Sequence, residues 1–142
     1  MTIRDAGPAD AGGLAGLLAE LGYPDATESV RARLLALAAE PTSFVLVVED
    51  EGRLLGAVSA SVIPLLHQDG NWCRLSALVV AAGSRRSGIG RALVAEVERQ
   101  ARAMGCRYLE VTSGERPDRD AAHAFYEALG LEQVSRRYLK AL

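Results

Sequence analysis

Arg85, Gly88 and Gly90 stand in an Arg-x-x-Gly-x-Gly spacing, with the apolar run Leu78-Val79-Val80 before them and an amphipathic stretch starting at Ile89 after them. Read as strand, turn and helix, this segment is suited to holding phosphate. Glycine at 88 and 90 removes side chains that would keep backbone N–H groups away from a ligand. Those N–H groups belong to a helix's first turn, where they lack intrahelical partners and carry the positive end of the helix dipole. Arg85, Arg86 and Arg91 add charge around them. Two common phosphate loops are excluded by their own requirements. A dinucleotide fingerprint needs Gly or Ala where Leu93 stands, and a P-loop needs Gly-Lys-Ser/Thr, whereas the only lysine here is Lys140.

A second constellation follows at Ala122-His123-Ala124-Phe125-Tyr126-Glu127-Ala128-Leu129-Gly130-Leu131. It reads as a short helix with Phe125 and Leu129 on one face, stopped by Gly130. Together the two segments resemble the GNAT N-acetyltransferase superfamily, whose acetyl-CoA pyrophosphate loop is Gln/Arg-x-x-Gly-x-Gly/Ala. Its later helix is Ala-x-x-Phe/Leu-Tyr-x-x-x-Gly-Phe, with Leu131 here in place of the final Phe. The resemblance covers nearly the whole chain and is most specific from Leu78 to Leu131. One departure is Arg119, where relatives often carry Asn seven residues before the tyrosine.

The resemblance implies that acetyl-CoA is held by Leu78, Val79 and Val80 on the strand side. On the loop side it implies Arg85, Arg86, Ser87, Gly88, Ile89, Gly90, Arg91 and Ala92. It also implies that a backbone N–H of Val79 or Val80 steadies the developing oxyanion and that Tyr126 protonates the departing thiolate. A phenol of reference pKa ~10 can donate to a thiolate whose conjugate acid lies near ~8.5. Many relatives place a carboxylate two or four residues upstream of Leu78, but Ser76 and Arg74 stand there. Glu20, Glu28, His67 and Asp69 fall in segments expected to line the acceptor side, and His123 lies one helical turn before Tyr126. Proton removal through water, with no single base, is the alternative. Cys73 and Cys106 sit in apolar strand contexts, so direct transfer is expected rather than a covalent enzyme intermediate.

Positioning these residues requires one α/β (α+β) domain spanning 1–142, with a mixed, mostly antiparallel sheet of six to seven strands and about four helices. The expected order begins with a strand at Met1–Arg4 and a helix at Ala9–Leu21. A second helix carries Val30, Leu34 and Leu37 and is capped by Asp25 with Glu28. Strands at Phe44–Glu49 and Leu54–Ile63 flank the turn Asp50–Arg53, the loop Leu65–Asn71 follows, and another strand spans Trp72–Val80. The long helix turns Ile89, Leu93, Val97, Ala101 and Met104 inward. Strands at Tyr108–Thr112 and Val134–Leu139 enclose the Tyr126 helix. The charged run Glu115–Asp120 reads as a loop with N-capping aspartates.

Composition narrows the class of function. A formal net charge of −2 argues against a nucleic-acid surface. No apolar run reaches the ~18 residues of a membrane span, and no signal pattern opens the chain, so a cytoplasmic location is expected. Two cysteines in plain spacing suggest neither a metal site nor a disulfide framework. The expectation is a small bacterial acetyltransferase, in one or two copies, acting on a small primary amine such as an aminoglycoside or aminoalkylphosphonate. A non-catalytic acyl-CoA sensor and a protein N-acetyltransferase are the alternatives.

Overall fold

The computed structural model describes residues 1–113 and 117–142. Its elements run β1 (Thr2–Asp5), α1 (Ala11–Leu21), α2 (Thr27–Ala38), β2 (Ser43–Asp50), β3 (Arg53–Pro64), β4 (Asn71–Val80), α3 (Ile89–Ala103), β5 (Cys106–Val111) and α4 (Asp120–Ala128). The strands lie in the order β1-β2-β3-β4-β5. The first three pairings are antiparallel and β4–β5 is parallel. α3 provides the crossover that a parallel pair requires.

Helices cover both faces of the sheet. Leu46, Val48, Val58, Ala60, Cys73 and Leu75 pack with Ile89, Leu93, Val94 and Val97 of α3. On the other face Val47, Ala57 and Val79 pack with Ala11, Leu14 and Leu17 of α1 and with Val30 and Leu34 of α2. Alternating side chains therefore feed two cores, as a sheet between helix layers demands.

One irregularity in β4 matters for the site. Ser59 pairs with Ala77 while Ala60 pairs with Leu75, so Ser76 is an extra residue, a bulge. Its hydroxyl donates to the Ser59 carbonyl at 3.2 Å. The bulge shifts the alternation: Cys73 and Leu75 face α3, and beyond Ser76 it is Leu78 and Val80 that pack on that side, with Val79 turned to α1.

Three expectations are corrected. The described residues form five strands, not six or seven, and 131–142 adopt no regular element and are almost entirely exposed. Val134 and Leu139 are five apart and so would point to opposite faces of a strand, while Arg136 separates Val134 from Tyr138. No continuous apolar face exists there to drive pairing. The α2 capping box is not made: Ala26 is the N-cap, and the Asp25 carboxylate takes the Ala26 N–H and Arg33 instead. Nor does an aspartate cap α4, where Arg119 is the N-cap residue. Glu115 and Arg116 of the charged run lie outside the described residues, as does Gly114.

Candidate acetyl-transfer site

The end of β4 and the start of α3 build one side of the site. After Val80 a single 3-10 turn spans Ala82–Ser84, and the Ser87 hydroxyl donates to the Ser84 carbonyl. Gly88 then serves as N-cap of α3 at φ +85°. That left-handed conformation is the reason for glycine there, since a Cβ would meet no atom within 4 Å but would strain the backbone. The first helical hydrogen bond runs from the Ala92 N–H to the Gly88 carbonyl at 3.0 Å. The N–H groups of Ile89, Gly90 and Arg91 thus lie in a first turn that offers no intrahelical acceptor. Arg85, Arg86 and Arg91 are exposed, and among the described residues none is ion-paired.

The structure gives Gly90 a packing role that its spacing does not suggest. A Cβ there would lie 3.2 Å from Cζ of Phe125 and 3.6 Å from Cγ2 of Val80. Its smallness lets α4, the helix that carries Tyr126, rest against the first turn of α3. The Phe125 and Tyr126 rings meet edge to face, their centroids 5.5 Å apart. Tyr126 is half-buried. Burial pushes its phenol above the ordinary tyrosine value, against a smaller opposite pull from the Arg119 charge. The group stays protonated, as a proton donor must.

Between β4 and β5 the sheet opens. Their pairing ends at Leu75 opposite Val111, and among the described residues the last five positions of β4 have no strand partner on that side. The Ala81 N–H bonds the Leu55 carbonyl at 2.8 Å. By strand alternation Val79 also points its backbone groups at β3, while Leu78 and Val80 point theirs into the gap. The Val80 carbonyl confirms the direction by accepting from Nε of Arg85 at 3.4 Å. Of Val79 and Val80, only Val80 offers its N–H to the gap, and Leu78, nearer the bulge, offers a second. Ser113, two residues past the last pair, has a buried hydroxyl with no hydrogen-bond partner among the described residues.

The four acceptor-side candidates are not brought together. Glu20 accepts from the Ala82 N–H at 3.1 Å and so ties α1 to the approach of the glycine loop. Glu28 is exposed and paired with Arg31. His67 and Asp69 lie at the opposite end of β4, in an open cleft of about 610 Å³ with Arg107 and Tyr108. Nine steps of strand at ~3.3 Å put that end roughly 30 Å from Val80. His123 sits on α4, half-buried. Neither cysteine is poised as a nucleophile, for burial pushes the Cys73 thiol up to about 11 and raises that of Cys106.

The sequence reading passed over a carboxylate on β5. Nε of Arg74 donates to the Glu110 carboxylate at 2.6 Å, across the parallel pair Arg74↔Glu110. Only the register reveals it, because 36 residues separate the two in the chain.

Comparison with known proteins shows the family. The model of the acetyltransferase (GNAT) family matches residues 15–131. The aminoglycoside N(6')-acetyltransferase type 1 of Stenotrophomonas maltophilia is 33% identical over 141 residues, covering 95% of this chain and 88% of that protein. A tRNA(Met) cytidine acetyltransferase of Pectobacterium atrosepticum is 43% identical over 61 residues, which is 43% of this chain but only 8% of that protein. Among solved structures, an acetyltransferase from Agrobacterium tumefaciens described as putative superposes with a TM-score of 0.88 at 25% identity, both chains fully covered. The aminoglycoside N-acetyltransferase AAC(6')-Iy in complex with CoA gives 0.86 at 19% identity, covering 99% of this chain and 93% of that one. The chain belongs to the GNAT acetyltransferase family, and it is an N-acetyltransferase. Acetyltransferases of this family use acetyl-CoA.

Proposed function

We infer that this chain transfers an acetyl group from acetyl-CoA directly to a primary amine of a small molecule. The observation that carries the reading is the open gap between β4 and β5, where backbone groups of Leu78 and Val80 face inward beside the N–H groups of α3. The residues present fit the co-substrate. The first turn of α3, with Arg85, Arg86 and Arg91, suits a pyrophosphate. The orphaned Ser113 hydroxyl, buried past the last β4–β5 pair, suits an amide of the pantetheine arm.

Each protein group then has one task. The bound thioester supplies the acyl group. A gap-facing N–H of Leu78 or Val80 donates to the carbonyl oxygen as negative charge grows there. Tyr126 gives its proton to the departing sulfur. The acceptor is a small amine of the aminoglycoside or aminoalkylphosphonate kind, supported by the Stenotrophomonas relative at 88% coverage.

The unpaired thiols of Cys73 and Cys106 support a cytoplasmic setting. No helix among the described residues is long and apolar enough to cross a membrane. A homodimer is part of the same reading, supported by the exposed Val134, Tyr138, Leu139 and Leu142. Calorimetric titration with acetyl-CoA, followed by CoA release across a panel of primary amines, tests the reaction. Absence of acetyl-CoA binding would refute it.

A further inference from the structure

We propose that the open cleft at the foot of β4, between the β3–β4 loop and the start of β5, is a second binding site, shaped for a zwitterionic α-amino acid with an apolar side chain. The cleft lies at the end of β4 roughly 30 Å from Val80, so its occupant is not the amine that is acetylated.

Two local irregularities build it. Asn71 pairs with Cys106 while Trp72 pairs with Tyr108, so Arg107 is an extra residue in β5, a bulge. In a regular strand Arg107 and Tyr108 would face opposite sides, but the bulge lets both line the cleft. Gly70 supplies the second irregularity. It turns the chain at φ +81°, and a Cβ there would lie 2.8 Å from both Cγ and Cδ of Arg107. The arginine stem therefore rests on bare backbone, which brings its guanidinium to the loop. Asn71 fastens that loop to the turn between α3 and β5. Its N–H donates to the Gly105 carbonyl and its Nδ2 to the Met104 carbonyl, each at 3.2 Å.

The charges decide the ligand. Asp69 and Arg107 line one cleft with opposite charges, yet among the described residues neither is ion-paired. The polar row next to it on the sheet is different. There Ser43, Ser61, Arg74 and Glu110 are successive partners across β2, β3, β4 and β5. The two serine hydroxyls bond each other at 2.8 Å, and Arg74 pairs with Glu110 at 2.6 Å. That row satisfies itself, whereas the cleft keeps a cation and an anion apart. A ligand carrying both charges on one carbon bridges them. The Arg107 fork takes the carboxylate in two parallel hydrogen bonds, and Asp69 accepts from the ammonium. Leu66 is fully exposed and Tyr108 more than half exposed on the same cleft. That apolar surface is what a leucine or phenylalanine side chain would remove from water.

Trp72 is the only tryptophan, and its ring lies 5.5 Å from that of Tyr108. Its indole N–H resonance, in isotope-labelled whole chain without acetyl-CoA, therefore reports on the cleft. Titration with L-leucine or L-phenylalanine should shift it saturably. Leucinamide lacks the carboxylate and N-acetyl-leucine lacks the ammonium, so each should bind about tenfold or more weakly than leucine. Arg107→Gln and Asp69→Asn should each weaken leucine binding by about tenfold or more as well. Both positions are exposed, so both variants fold, as thermal melts will verify. No saturable shift up to ~10 mM of either amino acid would overturn the site. Leucine binding no tighter than either single-charge analogue would overturn the zwitterion. Unchanged affinity in both variants would place the ligand elsewhere and overturn the cleft.

Discussion

The glycine loop and the polar row across the sheet are written in the chain in opposite ways. Leu78 to Leu93 supply strand end, turn, left-handed glycine and helix start in one unbroken stretch, and their partners are their own neighbours. The polar row takes one residue from each of four strands, Ser43, Ser61, Arg74 and Glu110, which meet only through pairing register. A local constellation is readable wherever its spacing survives. A constellation assembled by register cannot be seen before the sheet is known.

The largest effect should come from Gly90→Val. The structure adds a cost that the spacing alone does not suggest, because the new side chain meets the Phe125 ring as well as crowding the loop. Acetyl-CoA binding should disappear in calorimetry and the melting temperature should drop. Pairing the change with Phe125→Ala should recover part of the melting temperature without restoring binding. Recovery of both would show that glycine serves α4 packing only.

Tyr126→Phe comes next, with kcat expected to fall ~10²–10⁴-fold while acetyl-CoA affinity holds. The same residue sets a pH signature. Burial raises the phenol, so the donor persists to higher pH, and the alkaline fall of kcat should lie above the ordinary tyrosine range. A profile that declines at or below ~10, and a variant with unchanged turnover, would each remove Tyr126 from the mechanism.

Gly88→Ala should be milder. Forcing alanine to φ +85° costs roughly 1–2 kcal/mol in a position with room for the methyl group. Chemical denaturation should show that loss with the slope unchanged. The smallest effects belong to Glu28→Gln, His67→Ala and Asp69→Asn. Each should stay within about threefold of wild-type kcat/KM, below the tenfold that ~1.4 kcal/mol represents. A steep loss at His67 or Asp69 would move the acceptor to the far cleft and erase the contrast.

The fold was largely legible because its periodicities are strong. β2, β3, β4 and α3 fall within a residue or two of the stretches expected from alternation and from the inward row Ile89, Leu93, Val97 and Ala101. The Tyr126 helix, closed by Gly130 at φ +90°, was equally plain. What failed was tertiary or competitive in origin. Asp25 had two possible uses, and the Arg33 guanidinium drew its carboxylate away from capping. Val134–Leu139 has strand-forming residues without a consistent face. Glu110 carries no motif, and only the register sets it beside Arg74.

The bulge at Ser76 works as a frameshift does in a message. Upstream of it, odd-numbered positions speak to the α3 core; downstream, even-numbered ones do. Exchanging the serine side chain would cost one hydrogen bond to the Ser59 carbonyl. Deleting the residue would leave Leu78 and Val80 where they are, because Ala77 would follow Leu75 in regular alternation. Keeping every residue but straightening the bulge would instead turn Leu78 and Val80 toward α1, and the groups now facing the gap would face β3. The strand would remain a strand, and the message that follows it, glycine loop included, would be delivered to the wrong side of the sheet.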